Sequence, residues 1–156
     1  MAAVCGIFRL QLFGMLKINF FVLGFLLLSV ALNAQSTDEK NIRKILADQS
    51  AAWNNGQLDA FMKGYWPNDS LEFIGKNGII YGWQKALDNY KKGYPDTTAM
   101  GKLNFEILKI KKLSSKYFFV TGKWYLNRTI GNMGGIFTLL FRKIKNNWFI
   151  VVDHTS

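Results

Sequence analysis

Everything after Gly101 reads as strand, and that run constrains the fold more than any other feature of the chain. In residues 102–113, Leu103, Phe105 and Ile107 alternate with Lys102, Asn104 and Glu106. A period of two places one face on a core and the other in water. Residues 117–129 repeat the pattern, with Phe118, Val120, Trp124 and Leu126 set against Thr121, Lys123 and Asn127. Residues 134–145 and 148–155 complete the set. The breaks are Ser114-Ser115-Lys116, the glycine-rich stretch from Gly131 to Gly135, and Asn146-Asn147. All are of hairpin length, so the four strands form an antiparallel meander. Strands of about 12 residues extend roughly 40 Å and are expected to twist and curl.

The cover for such a sheet lies upstream. Ser36-Thr37-Asp38-Glu39 reads as a capping box, with Ser36 as N-cap. Ile42, Ile45, Leu46, Ala52 and Trp53 follow at helical spacing, and Asn54-Asn55-Gly56 ends that helix. A short second helix spans about residues 58–63 and stops before Pro67, because the residue preceding proline avoids the helical region. Residues 71–75 are a short strand, Asn77-Gly78 is a type I′ hairpin signal, and Ile79-Ile80-Tyr81 returns. Trp83, Ala86, Leu87 and Tyr90 mark a third helix over residues 83–92, closed by Gly93 and Pro95. The fold class is therefore α+β: a curled antiparallel sheet with three helices packed on its concave face. A curled sheet closed by helices leaves a conical pocket.

The N-terminal segment is set apart by composition. Residues 18–32 carry no charge, Arg9 and Lys17 precede them, and no acidic residue appears before Asp38. The apolar run ends in Ala31-Leu32-Asn33-Ala34 and then turns polar. Residues 1–34 are thus expected to be a bacterial-type signal peptide cut after Ala34, with Met15 an alternative true start. About fifteen apolar residues fall short of the roughly 20 of a spanning helix, so no membrane anchor is expected after cleavage. Residues 35–156 then form a single domain, periplasmic or secreted. Its charge is +8, from eighteen basic and ten acidic residues, and Cys5 goes with the leader. No disulfide and no cysteine metal site remain. With one histidine, His154, a multi-histidine metal site is also excluded, and no cofactor is expected. No nucleophile elbow, phosphate loop or Rossmann glycine pattern is present.

The order α-α-β-β-α-β-β-β-β resembles the NTF2-like cone fold, in its SnoaL-like or DUF4440 branch. The residues that carry the likeness are Trp53-Asn54 with Gly56, Leu71-Glu72-Phe73, Tyr81-Gly82 and the terminal run from Trp148 to Ser156. The resemblance covers all of residues 35–156. It implies a homodimer and a pocket inside the cone, but not one activity, since the superfamily holds isomerases, cyclases, dehydratases, binding modules and oligomerisation domains. In ketosteroid isomerases, similar around Asn68 to Ile74, the general-base aspartate falls at Ile74, which cannot take a proton.

Candidate site residues follow from strand parity. Trp148, Ile150, Val152 and His154 share a face, which places His154 at the end of the covered face, either as a general base or as a strand-end histidine bonded to the backbone. Arg128 continues the apolar face of Trp124 and Leu126. It either snorkels at the rim, points inward to recognise an anion, or pairs with Glu72 or a symmetry mate. Glu72, on a short strand, is either exposed or an acid/base partner for His154. Trp53, Tyr65, Trp66, Tyr90 and Tyr94 are core or line a ligand entrance, as aromatic walls do in small-molecule pockets.

Three functions compete. The first is an exported protein holding a small anionic or carbonyl-bearing ligand, enzymatic or not, with Glu72, Trp124, Arg128 and His154 in one cavity. The second is a ligand-free dimerisation module with a filled cone. The third is a polyanion-binding surface built on Lys109, Lys111, Lys112, Lys116, Arg142, Lys143 and Lys145. Nucleic acid is disfavoured by export. An open cavity with a polar tip favours the first. Arg128 and His154 on opposite sheet faces would favour the second.

Overall fold

A computed structural model describes residues 36–156. The expected leader, residues 1–34, lies outside the described residues. Helix α1 (Thr37–Asn54) begins directly after Ser36 and carries Asp38 and Glu39 in its first turn, where the helix dipole favours negative charge. Helix α2 (Leu58–Phe61) runs into a 3₁₀ turn (Met62–Gly64). A hairpin of β1 (Glu72–Gly75) and β2 (Gly78–Tyr81) precedes α3 (Trp83–Gly93). The meander is β3 (Lys102–Lys112), β4 (Tyr117–Asn127), β5 (Met133–Ile144) and β6 (Asn147–Thr155). Among the described residues no helix is long and apolar enough to cross a membrane.

One helix was not expected: α4 (Thr97–Met100), which starts where the Asp96 carboxylate accepts from the Ala99 N–H at 2.8 Å. Gly101 ends it at φ 61°, and a β-carbon there would meet Asn127 O and Arg128 Cγ at 2.4 Å.

The sheet has the order β2-β1-β6-β5-β4-β3. The meander pairs are antiparallel, and β1 joins β6 in parallel, with Phe73 opposite Asp153. The β1–β2 turn is Lys76-Asn77 rather than Asn77-Gly78, because Gly75 pairs with Gly78. The two positive-φ residues that a type I′ turn needs are instead Lys145 (46°) and Asn146 (66°), between β5 and β6.

Helix α1 buries Ile42, Leu46, Gln49, Ala52 and Trp53. The four apolar ones belong to one core with Phe118, Val120, Leu126, Phe137, Leu139, Phe141, Trp148 and Ile150 of the sheet. Polar contacts fix the helix to the sheet at both ends. At its C-terminus the Asn54 amide group pairs with both backbone groups of Leu103 (2.6 and 3.0 Å), covering part of the edge strand β3. At its N-terminus Lys143 Nζ and Trp148 Nε1 both donate to Asp38 Oδ1, at 2.8 and 2.9 Å. The Lys143 and Trp148 donors hold the Asp38 carboxyl below its usual range.

Register shifts bend the sheet at Ile107/Lys109 in the β3–β4 pair and at Leu140/Phe141 in the β5–β6 pair. Near the first, the Phe137 ring packs over Gly122, where a β-carbon would lie 2.3 Å from Phe137 Cζ and 2.7 Å from Glu106 O. Gly122→Val is therefore expected to destabilise the domain by about 1–3 kcal/mol or more through overpacking, read as a lowered denaturation midpoint. An unchanged midpoint would show that the bend does not depend on this contact.

Candidate active site: a cone cavity with a buried aspartate

The curl leaves an open cavity of about 850 Å³ between the concave sheet face and the helices. Its floor is set by buried residues, Leu46, Gln49, Phe61, Tyr65, Leu139 and Asp153. Its mouth is set by exposed ones on the β1–β2 turn and the end of α3, together with Arg128 just past β4. Phe73, Tyr90, Phe105, Trp124, Leu126 and Phe137 form much of the wall between.

Asp153 is the chemical centre. It is 3% exposed and is the one acidic side chain on the described cavity lining. Tyr65 Oη donates to its Oδ2 at 2.7 Å and Thr155 Oγ1 to its Oδ1 at 2.6 Å. Burial pushes the Asp153 pKa up to about 6, against the pull of the two hydroxyl donors and the nearby His154. Burial, reinforced by the Asp153 charge, lifts the Tyr65 and Tyr90 hydroxyls well above the usual phenol value. Both tyrosines therefore stay protonated while Asp153 titrates near neutrality. Tyr90 packs edge-on against Trp53, Phe61 and Phe73, with ring centroids 5.3–5.9 Å apart.

Of the residues singled out in sequence, Trp53, Tyr65, Tyr90, Tyr94, Trp124 and Arg128 line the cavity. His154, Glu72 and Trp66 do not. The expected face of Trp148, Ile150, Val152 and His154 is broken by the β6 irregularity, since Phe141 pairs with Ile150 but Leu140 pairs with Val152. Val151 is the extra residue, and beyond it the alternation inverts. Asp153 turns inward and His154 is exposed on the outer face. In β1 the inward residue is Phe73, so Glu72 and Ile74 face outward opposite Val152 and His154. Ile74, the position matched in sequence to the ketosteroid isomerase base, therefore faces away from the cavity, and the β1 residue that reaches it, Phe73, cannot take a proton either. Trp66 sits outside the cavity, with the Arg142 guanidinium 5.7 Å from its ring centroid. Arg128 lines the mouth, where its Nε donates to Gly131 O at 2.8 Å and its Nη1 to Ala99 O at 3.3 Å.

Arg128 and His154 thus lie on opposite faces, which removes the site built on that pair and by itself favours the ligand-free module. The open cavity with a polar floor points the other way. Sequence reasoning missed Asp153 and Thr155 because parity was carried through the apolar run 149–152, which has no polar residue to mark a bulge.

Among solved structures, an NTF-2-like protein of unknown function from Shewanella oneidensis MR-1 is 42% identical with a TM-score of 0.75, the match covering 77% of this chain and 99% of that one. The chain belongs to the NTF2-like family. More distant NTF2-like neighbours show the fold alone. A ketosteroid isomerase-like protein from Erwinia carotovora atroseptica SCRI1043 is 16% identical with a TM-score of 0.60, over 78% of this chain and 97% of that one. An NTF2-like superfamily protein from Salmonella enterica is 16% identical with a TM-score of 0.59, over 75% and 88%. No family model and no curated protein matches this NTF2-like chain.

Proposed function

We propose that this NTF2-like protein holds a small, largely apolar molecule in its cone, with one carbonyl or hydroxyl group at the floor against Asp153 and Tyr65. The observation that carries the reading is a buried, hydrogen-bonded carboxyl facing an open cavity of about 850 Å³. Buried carboxyls cost free energy, and one oriented by two hydroxyls toward an open space is what a polar ligand group would meet. Ionised, Asp153 accepts from a ligand hydroxyl. A ligand that expels water favours the protonated form, which donates to a carbonyl. A pKa of about 6 also suits proton exchange near neutral pH, so Asp153 is the residue through which catalysis would run. A base on β1 is not part of this reading, since Phe73 occupies the inward position.

Export of residues 35–156 and pairing of two copies through the outer sheet face belong to the same proposal. That face exposes Ile79 (52%), Tyr81 (53%) and Ile136 (53%), with Phe119 and Tyr125 beside them. Native mass spectrometry of protein recovered from its host reads all three parts. The expected result is a dimer of chains starting near Gln35, carrying a small-molecule mass that denaturation releases. A monomer would remove the pairing and an intact leader the export. Absence of any retained mass, together with no uptake of the neutral probe N-phenyl-1-naphthylamine, would overturn the ligand reading in favour of the dimerisation module.

A further inference from the structure

The charges along the cavity are segregated by depth. The floor holds the one acidic side chain of the described lining, Asp153, already engaged by Tyr65 and Thr155. The mouth holds three cations from three separate elements: Lys76 in the β1–β2 turn, Lys92 in the last turn of α3, and Arg128 after β4. Some surface cations pair with carboxylates, as in Lys91 with Asp59 at 3.0 Å and Lys123 with Glu106 at 3.4 Å, and others do not; what sets the mouth apart is that its three converge on one opening. Neither Lys76, Lys92 nor Arg128 forms an ion pair among the described residues. The two guanidinium bonds of Arg128 go to carbonyl oxygens of Gly131 and Ala99, which fix its direction without neutralising its charge. Three uncompensated positive charges around an aromatic-walled opening focus a field that a neutral ligand does not use.

Resting on the ligand reading above, we infer that the occupant is an amphipathic organic anion: its apolar body fills the aromatic wall, and a single anionic group stays at the mouth among Lys76, Lys92 and Arg128. The lysines reach the anion as mobile point charges. Arg128, tied at Nε and Nη1, offers Nη2 from a fixed position. Such a ligand enters body first, and its charge never has to leave water completely, which avoids the desolvation cost of a buried anion.

A matched pair of probes tests this. N-phenyl-1-naphthylamine and 8-anilinonaphthalene-1-sulfonate share one body, and only the second carries an anion. Fluorescence titration at low salt is expected to show the sulfonate binding at least several-fold tighter than the neutral probe. Lys76→Gln with Lys92→Gln should weaken the sulfonate by about threefold to tenfold, the scale of two partly exposed charge contacts, and leave the neutral probe unchanged. Raising ionic strength should erode the sulfonate's advantage alone. The lysines are exposed, so their substitution is not expected to disturb folding, and unchanged neutral-probe binding verifies this in the same samples. Equal affinity for both probes, insensitive to the lysines, would overturn the inference and leave the cavity reading intact. Failure of both probes to bind would overturn the cavity reading itself.

Discussion

Asp153→Asn is expected to make the domain more stable relative to wild type at pH 8 than at pH 4, by about 3 kcal/mol. The sign follows from linkage. The folded pKa of about 6 lies above the ordinary 3.8, so the folded state holds this proton more tightly than the unfolded chain does. The stability Asp153 contributes is fully present below about pH 4 and is lost as pH rises through 6. Asparagine keeps the shape and removes the titration, so other carboxylates cancel in the comparison. A shift of about two pKa units corresponds to about 3 kcal/mol, or of order 10 °C in Tm for a domain of this size. Thermal melts of both proteins from pH 4 to 8 check this. Parallel curves would mean that Asp153 is solvated and is not the floor of the cavity. The same variant is expected to lose any acid/base activity, while His154→Ala leaves it unchanged, since His154 is exposed on the other face.

Trp53→Ala is expected to cost about 3–5 kcal/mol, a large fraction of the 5–15 kcal/mol that holds a domain folded. Trp53 is 2% exposed and joins α1, α2 and α3. Its ring meets Phe61 at 5.2 Å, Tyr94 at 4.8 Å and Tyr90 at 5.9 Å, all near edge-on. Its Nε1 donates to Met100 O at 3.1 Å, which anchors α4 as well. Trp53→Phe keeps most of the packing but strands that carbonyl, a smaller loss of about 1–3 kcal/mol. Urea denaturation orders the three proteins. A Trp53→Ala loss below about 1 kcal/mol would contradict the role given to this cluster.

The elements were legible because their periods were clean. The alternation of Leu103, Phe105 and Ile107 survives in β3, and Trp124, Leu126 and Arg128 share the face that parity assigns them. Helix α1 shows the spacing that its buried residues require. The site was less legible, because it depends on one inserted residue. Ile150 and Val151 are both buried, so two consecutive side chains face the core, and everything after them inverts. An Ile-Val-Val run contains no polar residue to reveal that, and the aspartate that directly follows it is a weak sign until its burial is known. The Asn77-Gly78 turn failed for a related reason. Pairing of Gly75 with Gly78 moves the loop back one residue and leaves the glycine on the strand side at φ 109°. Helix α4 is only four residues long, too short for a hydrophobic period, and only Asp96 and Gly101 mark its ends.

The central claim is that the Asp153 carboxyl lies buried at the floor of a cavity that a small molecule enters. Carbon-13 NMR of the aspartate side-chain carboxyls, with Asp153 assigned through Asp153→Asn, reads it directly. The account predicts a resonance that titrates near pH 6 in the free protein and moves to higher pH when N-phenyl-1-naphthylamine fills the cone and excludes water. A resonance that titrates near the ordinary 3.8, and does not respond to the probe, would contradict it.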